Sequence, residues 1–304
     1  MYITNMSNKL ELINKIENHI NSVKNEPFYT EIIGKINEDC EIILEYHHAG
    51  FWSIFNKLMN YLLYFKNIKK ISFNVIPIQS NFYGKDELFS PLFKIYNENS
   101  NNQSLLKINA AHYITYELTG YYGNLLHVKN TNWRTEYNQL WNKYIKLTDD
   151  IQYEFNSIKE QIMNLKETYK IISVSIRHPK IAHEQIHGVM PTLAQYDIEI
   201  LKLLDKYDNK CVLILATDVH EYEKYFRERY SHITIIHPFS VKAGEHQEEA
   251  HNANYDGNKE IARATLLTVL ILSLGDHYIH HNSNMATAAL YINPDMESHF
   301  LFSE

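Results

Sequence analysis

From Lys170 onward the chain alternates short, almost uninterrupted apolar runs with amphipathic stretches, and this constrains its fold more than any other feature. The apolar runs are Lys170–Ile176 (KIISVSI), Cys211–Ala216 (CVLILA), Ile233–Ile236 and His277–His280. Between and after them lie Ala194–Tyr207, Val219–Tyr230, Asn258–Leu274 and the Ala-rich Asn284–Tyr291, each with apolar residues at helical spacing. Runs of this length without polar alternation suit strands buried on both faces. Strand–helix steps repeated over about 120 residues predict a parallel, doubly wound sheet. Ligands of such sheets bind beyond the carboxyl ends of the strands, which directs attention to Arg177, Asp218 and the His280–Asn284 turn.

The N-terminal half opens in the same way. Cys40–Tyr46 reads as a buried strand, a turn containing Gly50 follows, then a helix over Phe51–Phe65 and a strand at Ile71–Ile76. The stretch 81–130 is rich in Tyr and Asn and has no clear period, with an exposed loop expected at Asn97–Ser104. Thr135–Lys166, free of Gly and Pro, reads as one long helical stretch bridging two halves. A chain of 304 residues suits two domains. The expected division is an N-terminal α/β domain on the acceptor side with the bridging helix (1–160) and a C-terminal ligand-binding domain (161–304), with the site in the cleft between them.

Composition removes several function classes. A net charge of −7 argues against nucleic acid as a partner. Polar Met1–Asn8 leads into amphipathic Leu10–Ile20 rather than an apolar run, and no segment reaches 18 consecutive apolar residues. No transmembrane segment is therefore expected. Cys40 and Cys211 are too few for a disulfide framework. A cytoplasmic setting follows as an expectation.

Lysine supplies nearly all the positive charge; arginine occurs only at 134, 177, 227, 229 and 263. A guanidinium fork binds two oxygens at once, so a rare arginine at a strand end marks a place for a diphosphate. Ser175-Ile176-Arg177-His178-Pro179 closes the strongest strand in this way. Leu215-Ala216-Thr217-Asp218 ends the next with a hydroxyl and a carboxylate suited to sugar or ribose hydroxyls, although Asp218 would serve equally as a helix N-cap. His281-Asn282-Ser283-Asn284 precedes a helix whose first-turn N–H groups could hold a phosphate, and an ordinary N-cap reads the same.

His183-Glu184-Gln185-Ile186-His187 matches the zinc-protease pattern of two histidines flanking a glutamate. That chemistry requires both histidines on one face of a sustained helix, whereas Gly188 and Pro191 break any helix where the motif ends. Without zinc, Glu184 or His183, just past the Arg177 strand end, could take a proton from an acceptor hydroxyl.

Taken in order, Val174–His178, Val212–Asp218 and Leu272–Leu290 resemble the three motifs of the GDP-fucosyltransferase superfamily, which includes α1,6-, nodulation and protein O-fucosyltransferases. His48-Ala49-Gly50-Phe51-Trp52 is similar to that family's first Gly-containing turn. The resemblance implies a GT-B glycosyltransferase, two Rossmann-like α/β domains facing across a cleft. It implies inverting, metal-independent transfer of fucose from GDP-fucose to a glycan or protein hydroxyl, with no cofactor and no metal site. Arg177 would hold the β-phosphate and Asp218 would support the donor. Ser283 and Asn284 would lie at the phosphate turn, with Ser175, His178, Thr217, Asn282 and Gly50 completing the nucleotide-sugar site. Glu184 falls close to the family's proposed base, with His183 as the second choice and Arg263 a possible supplementary charge. Two departures stand out: the first-motif His is Ser175 here, and Pro179 and Lys180 replace the acidic residue after the Arg. Left open are the same fold with another donor, a zinc hydrolase using His183, Glu184 and His187, and a noncatalytic nucleotide-sugar or glycan binder.

Overall fold

The computed structural model describes Cys40–Tyr46, residues 51, 52, 55, 56, 58, 59 and 62, Ile71–Pro77, 92–95, Leu106–Asn109, 131–177, 191–238 and 258–301. In the N-terminal part, β1 (Cys40–Tyr46), β2 (Ile71–Pro77), β3 (Phe93–Ile95) and β4 (Leu106–Asn109) are followed by α1 (Thr131–Tyr144), β5 (Ile145–Leu147) and α2 (Asp149–Lys166). β1 pairs in parallel with β2 on one side and β4 on the other. The described residues between β1 and β2 are helical, and Phe51, Trp52, Phe55, Leu58, Met59 and Leu62 are all buried. Spacings of three and four put these side chains on one stripe, as a core-facing helix requires.

The long stretch expected at Thr135–Lys166 is two helices, not one. Ile145–Leu147 leaves the helical path to pair antiparallel with β3. Buried Ile145 anchors that short strand. Thr148 then ends it, donating its backbone N–H to Leu92 O (3.0 Å) and its hydroxyl to Asp150 Oδ1 (2.7 Å), and adopting the extended conformation that starts α2. The tertiary pairing overrides the helical propensity of the flanking residues.

The C-terminal part runs β6 (Lys170–Ile176), α3 (Leu193–Lys206), β7 (Cys211–Thr217), α4 (His220–Arg229), β8 (Thr234–Ile236), α5 (Asn258–Leu272), β9 (His277–His280), α6 (Asn284–Ile292) and β10 (Glu297–Phe300). Its strands form one parallel sheet in the order β10-β9-β6-β7-β8. Each expected strand and helix of this half is present to within a few residues. β10 is additional: Glu-Ser-His-Phe lacks the apolar run that marks the other strands, because it lies at a sheet edge.

Alternation along β6 and β7 divides the core between two faces. Ile172, Val174, Ile176, Leu213 and Leu215 pack beneath α3 and α4, together with Tyr196, Ile200 and Phe226. Ile171, Val212, Ile214 and Ala216 face the other way, into a cluster with α1, α2, α5, α6 and the 51–62 stretch. Asp276 fixes the amino end of the sheet: its carboxylate accepts from Ile171 N (2.8 Å) and Lys166 Nζ (3.2 Å), while its backbone N–H donates to Ile171 O. No described helix is long and apolar enough to cross a membrane.

Candidate functional site

The chain leaves β6 toward β7 and β8 on one side, then returns to the other side as β9 and β10. The connection therefore reverses direction between β6 and β9, and a crevice opens beyond the carboxyl ends of strands at such a point. The residues meeting there are Ser175 to Arg177 from β6 and His281 to Asn284 from the β9–α6 turn. Thr217 and Asp218 end the adjacent β7.

Buried tyrosines build the floor. Tyr278 donates its hydroxyl to Ser175 Oγ (2.9 Å), and Tyr196 donates to Ser175 O (3.1 Å). Burial pushes both phenols up, Tyr196 well above the usual tyrosine value, so both remain protonated donors at neutral pH. With its proton committed to Ser175 O, the Tyr196 hydroxyl presents a lone pair to His281 Nδ1 at 3.1 Å. Tyr196 thus ties α3, β6 and the β9–α6 turn together. Neither tyrosine stands out in the sequence, because a buried Tyr on a helix or strand reads like any core aromatic.

The turn itself is an N-cap. Ser283 is buried and extended, and its Oγ accepts from Ala286 N at 3.1 Å while its carbonyl takes Thr287 N. The cap satisfies one first-turn amide and orients α6 so that its positive end faces the crevice. N-cap and anion site are compatible here. Asn282 is buried beside it, and Asn284 is half-buried. Asn56, on the 51–62 stretch, donates Nδ2 to Asn284 O (3.0 Å) and Asn284 Oδ1 (3.2 Å), and accepts from the Tyr291 hydroxyl (3.0 Å). The N-terminal half therefore reaches the turn through the Asn56 side-chain amide.

Thr217 is buried, and its Oγ1 accepts from Val219 N at 3.2 Å, shaping the turn that carries the half-buried Asp218. The N-cap of α4 is Val219, with no side-chain cap bond, so Asp218 is not the cap. Its carboxylate lies near Tyr222, whose phenol is raised first by burial and then by that negative charge.

The five arginines divide sharply. Buried Arg134 donates to Met296 O (2.9 Å) and Pro294 O (3.5 Å). Arg227 pairs with Glu223 at 3.0 Å and Arg229 with Asp197 at 3.4 Å. Arg263 bonds Glu154 and, at 3.2 Å, Asp150, joining α5 to α2 as a salt bridge rather than supplementing the crevice. Arg177 is half-buried and makes no hydrogen bond or ion pair with any described residue. His178, His183, Glu184, His187 and Gly50 lie outside the described residues, as does Asn97–Ser104.

No protein-family model matches this sequence, and neither does any curated protein. Solved structures do. NodZ α-1,6-fucosyltransferase soaked with GDP-fucose superposes with a TM-score of 0.52 at 12% identity, over 84% of this chain and 93% of that one. NodZ co-crystallised with GDP gives 0.51 at 13% identity, over 83% and 92%. The chain shares the GT-B fold of these structures. Within that fold the ordered strand ends of the C-terminal sheet are the part legible from sequence, and the likeness extends over most of both chains. At these identities it is a likeness of architecture, and function has to be argued from the residues.

Proposed function

We propose that the protein is an inverting glycosyltransferase that moves fucose from GDP-fucose to a glycan or protein hydroxyl, with 161–304 as its donor-binding unit and 1–160 as its acceptor side. The observation that carries the reading is Arg177. It is a scarce guanidinium at a strand end, beside the switch point and the capped N-terminus of α6, without a protein anion among the described residues. A diphosphate supplies the charge that this position lacks. One solved structure of this fold was soaked with GDP-fucose and another co-crystallised with GDP, which supports the donor class.

In the proposed reaction the acceptor oxygen attacks the anomeric carbon from the face opposite the nucleotide. Its proton passes to Glu184, or to His183 as the alternative. The bond from the anomeric carbon to the β-phosphate oxygen breaks, and GDP leaves with the electron pair. Arg177 and the first-turn amides of α6 stabilise the charge on the leaving diphosphate, so the chemical step requires no metal. Asp218 and Thr217 hold the donor's hydroxyl-bearing end, while Ser175, His178, Asn282, Ser283, Asn284 and Gly50 shape the remainder of the pocket.

Arg177→Ala is expected to lower transfer by about 10²-fold or more with folding intact, the scale of losing one charge-stabilising donor. Turnover close to that of the unaltered chain would overturn the mechanism. A thermal-shift screen against GDP-, UDP- and dTDP-sugars identifies the donor, and stabilisation by GDP-fucose alone is the expected result. Ser175 favours a second reading, a noncatalytic nucleotide-sugar binder, since its hydroxyl already receives Tyr278. Donor binding with neither transfer nor donor hydrolysis would establish that reading.

A further inference from the structure

At the amino end of β9, away from the crevice, three potential ligands converge. His277 begins β9 and Glu297 begins β10; parallel register pairs these two residues, and His299 follows two positions later on the same face. His277 Nδ1 is 3.1 Å from His299 Nε2 and 3.2 Å from Glu297 Oε2, and His299 Nε2 is 3.6 Å from Glu297 Oε1. Zinc bonds of 2.0–2.1 Å at tetrahedral angles put ligand atoms about 3.3 Å apart. The three separations bracket that value.

The far nitrogen of His277 has a hydrogen-bond partner, Tyr207 Oη at 2.8 Å from Nε2, the kind of contact that orients a metal-binding ring. The Glu199 carboxylate, bonded to Lys202 (2.7 Å), lies 3.7 Å from His299 Nδ1, an ion-pair contact longer than a hydrogen bond. His277 Nδ1 and His299 Nε2 lie within hydrogen-bond distance of each other, and a metal would take the place of the proton they share. Glu297 is exposed, yet it turns both oxygens onto the histidines, which leaves the fourth position to solvent. Two cations compete for these groups: Lys206 Nζ, 4.0 Å from Glu297, and Lys202 Nζ, 2.7 Å from Glu199, both on exposed side chains.

We propose that His277, His299 and Glu297 form a binding site for zinc or a similar divalent transition metal. It joins the edge strand β10 to β9 under the C-terminal end of α3. The site is independent of the transferase reading and lies at the opposite end of the strands from the reaction.

The test is equilibrium dialysis of the chelated full chain against Zn²⁺ alone, with Co²⁺ absorption as a report of tetrahedral geometry. One zinc per chain is expected at this site, with a rise of about 5 °C in Tm when zinc is well above Kd. His299→Ala and Glu297→Gln should each reduce the stoichiometry by one at micromolar zinc. Glu297→Gln alters an exposed residue and stays informative if His299→Ala does not fold. Tyr207→Phe should weaken binding about 10-fold or more, as loss of the ring's far-nitrogen partner does. A variant carrying both His183→Ala and His187→Ala should keep this zinc. Unchanged binding in Glu297→Gln and His299→Ala, absence of binding in the unaltered chain, or loss of it in the His183/His187 variant would each overturn the proposal.

Discussion

One residue type serves two opposite purposes in this chain, and position decides which. Arg134 and Arg177 carry the same guanidinium, but Arg134 is enclosed between α1 and the segment after α6, where burial lowers its pKa to about 10 and its donors are spent on backbone carbonyls. Arg177 keeps its donors for something other than the described protein. Arg134→Leu should therefore destabilise the fold by about 2 kcal/mol, the scale of hydrogen bonds from a charged group, while donor affinity in the folded fraction is unchanged. Urea melts and a donor titration check both halves of that expectation. Arg177 gives the reverse pattern, with binding and turnover lost and the melt preserved. Scarcity of arginine was legible in the sequence. The partners that separate structural from available arginines were not, because Glu154, Asp150 and Met296 are more than 100 residues distant from the arginines they meet.

Among the elements, strands buried on both faces were the easiest to read, since CVLILAT and KIISVSI have few other ways to fold. β5 and β10 were missed because pairing defines them and their composition does not: three residues interrupt one helical pattern, and a histidine-bearing edge strand carries no apolar run. Asp218 shows a related limit. A carboxylate before a helix satisfies the N-cap pattern, yet the helix begins one residue later than that reading requires. The α5–β9 connection shows how tight the packing is around the sheet's amino end. A Cβ on Gly275 would sit 2.5 Å from Ser173 Oγ and 2.9 Å from His277 O, while Ser173 is held by its own bond to Leu272 O. Gly275→Ala should cost about 1–3 kcal/mol through overpacking, read as a lowered Tm, and Ser173→Ala should restore part of the loss by clearing the nearest contact.

For the whole molecule, the C-terminal sheet was predictable from local pattern, whereas the way the two halves meet was not. Trp52 donates Nε1 to Thr265 O at 3.2 Å and Asn56 bridges Asn284 to Tyr291, contacts that span more than 200 residues of chain. Asn56→Ala is expected to lower stability by about 1–3 kcal/mol, since it takes an acceptor from a fully buried tyrosine hydroxyl. It should also weaken donor binding by loosening Asn284. A variant with unaltered Tm and donor Kd would remove Asn56 as the link between halves.

The same contacts bear on how the molecule assembles in time. The apolar stripe of the 51–62 stretch packs into one cluster with α1, α5 and α6, and the last two are made near the end of synthesis. During synthesis that stripe, with its Phe, Trp, Leu and Met side chains, must wait for most of the chain to emerge before it is fully covered. Contacts of such long sequence separation form slowly, because loop closure opposes them before burial favours them. The interval is one in which the nascent chain is vulnerable to aggregation and in which a chaperone has an apolar helix to hold.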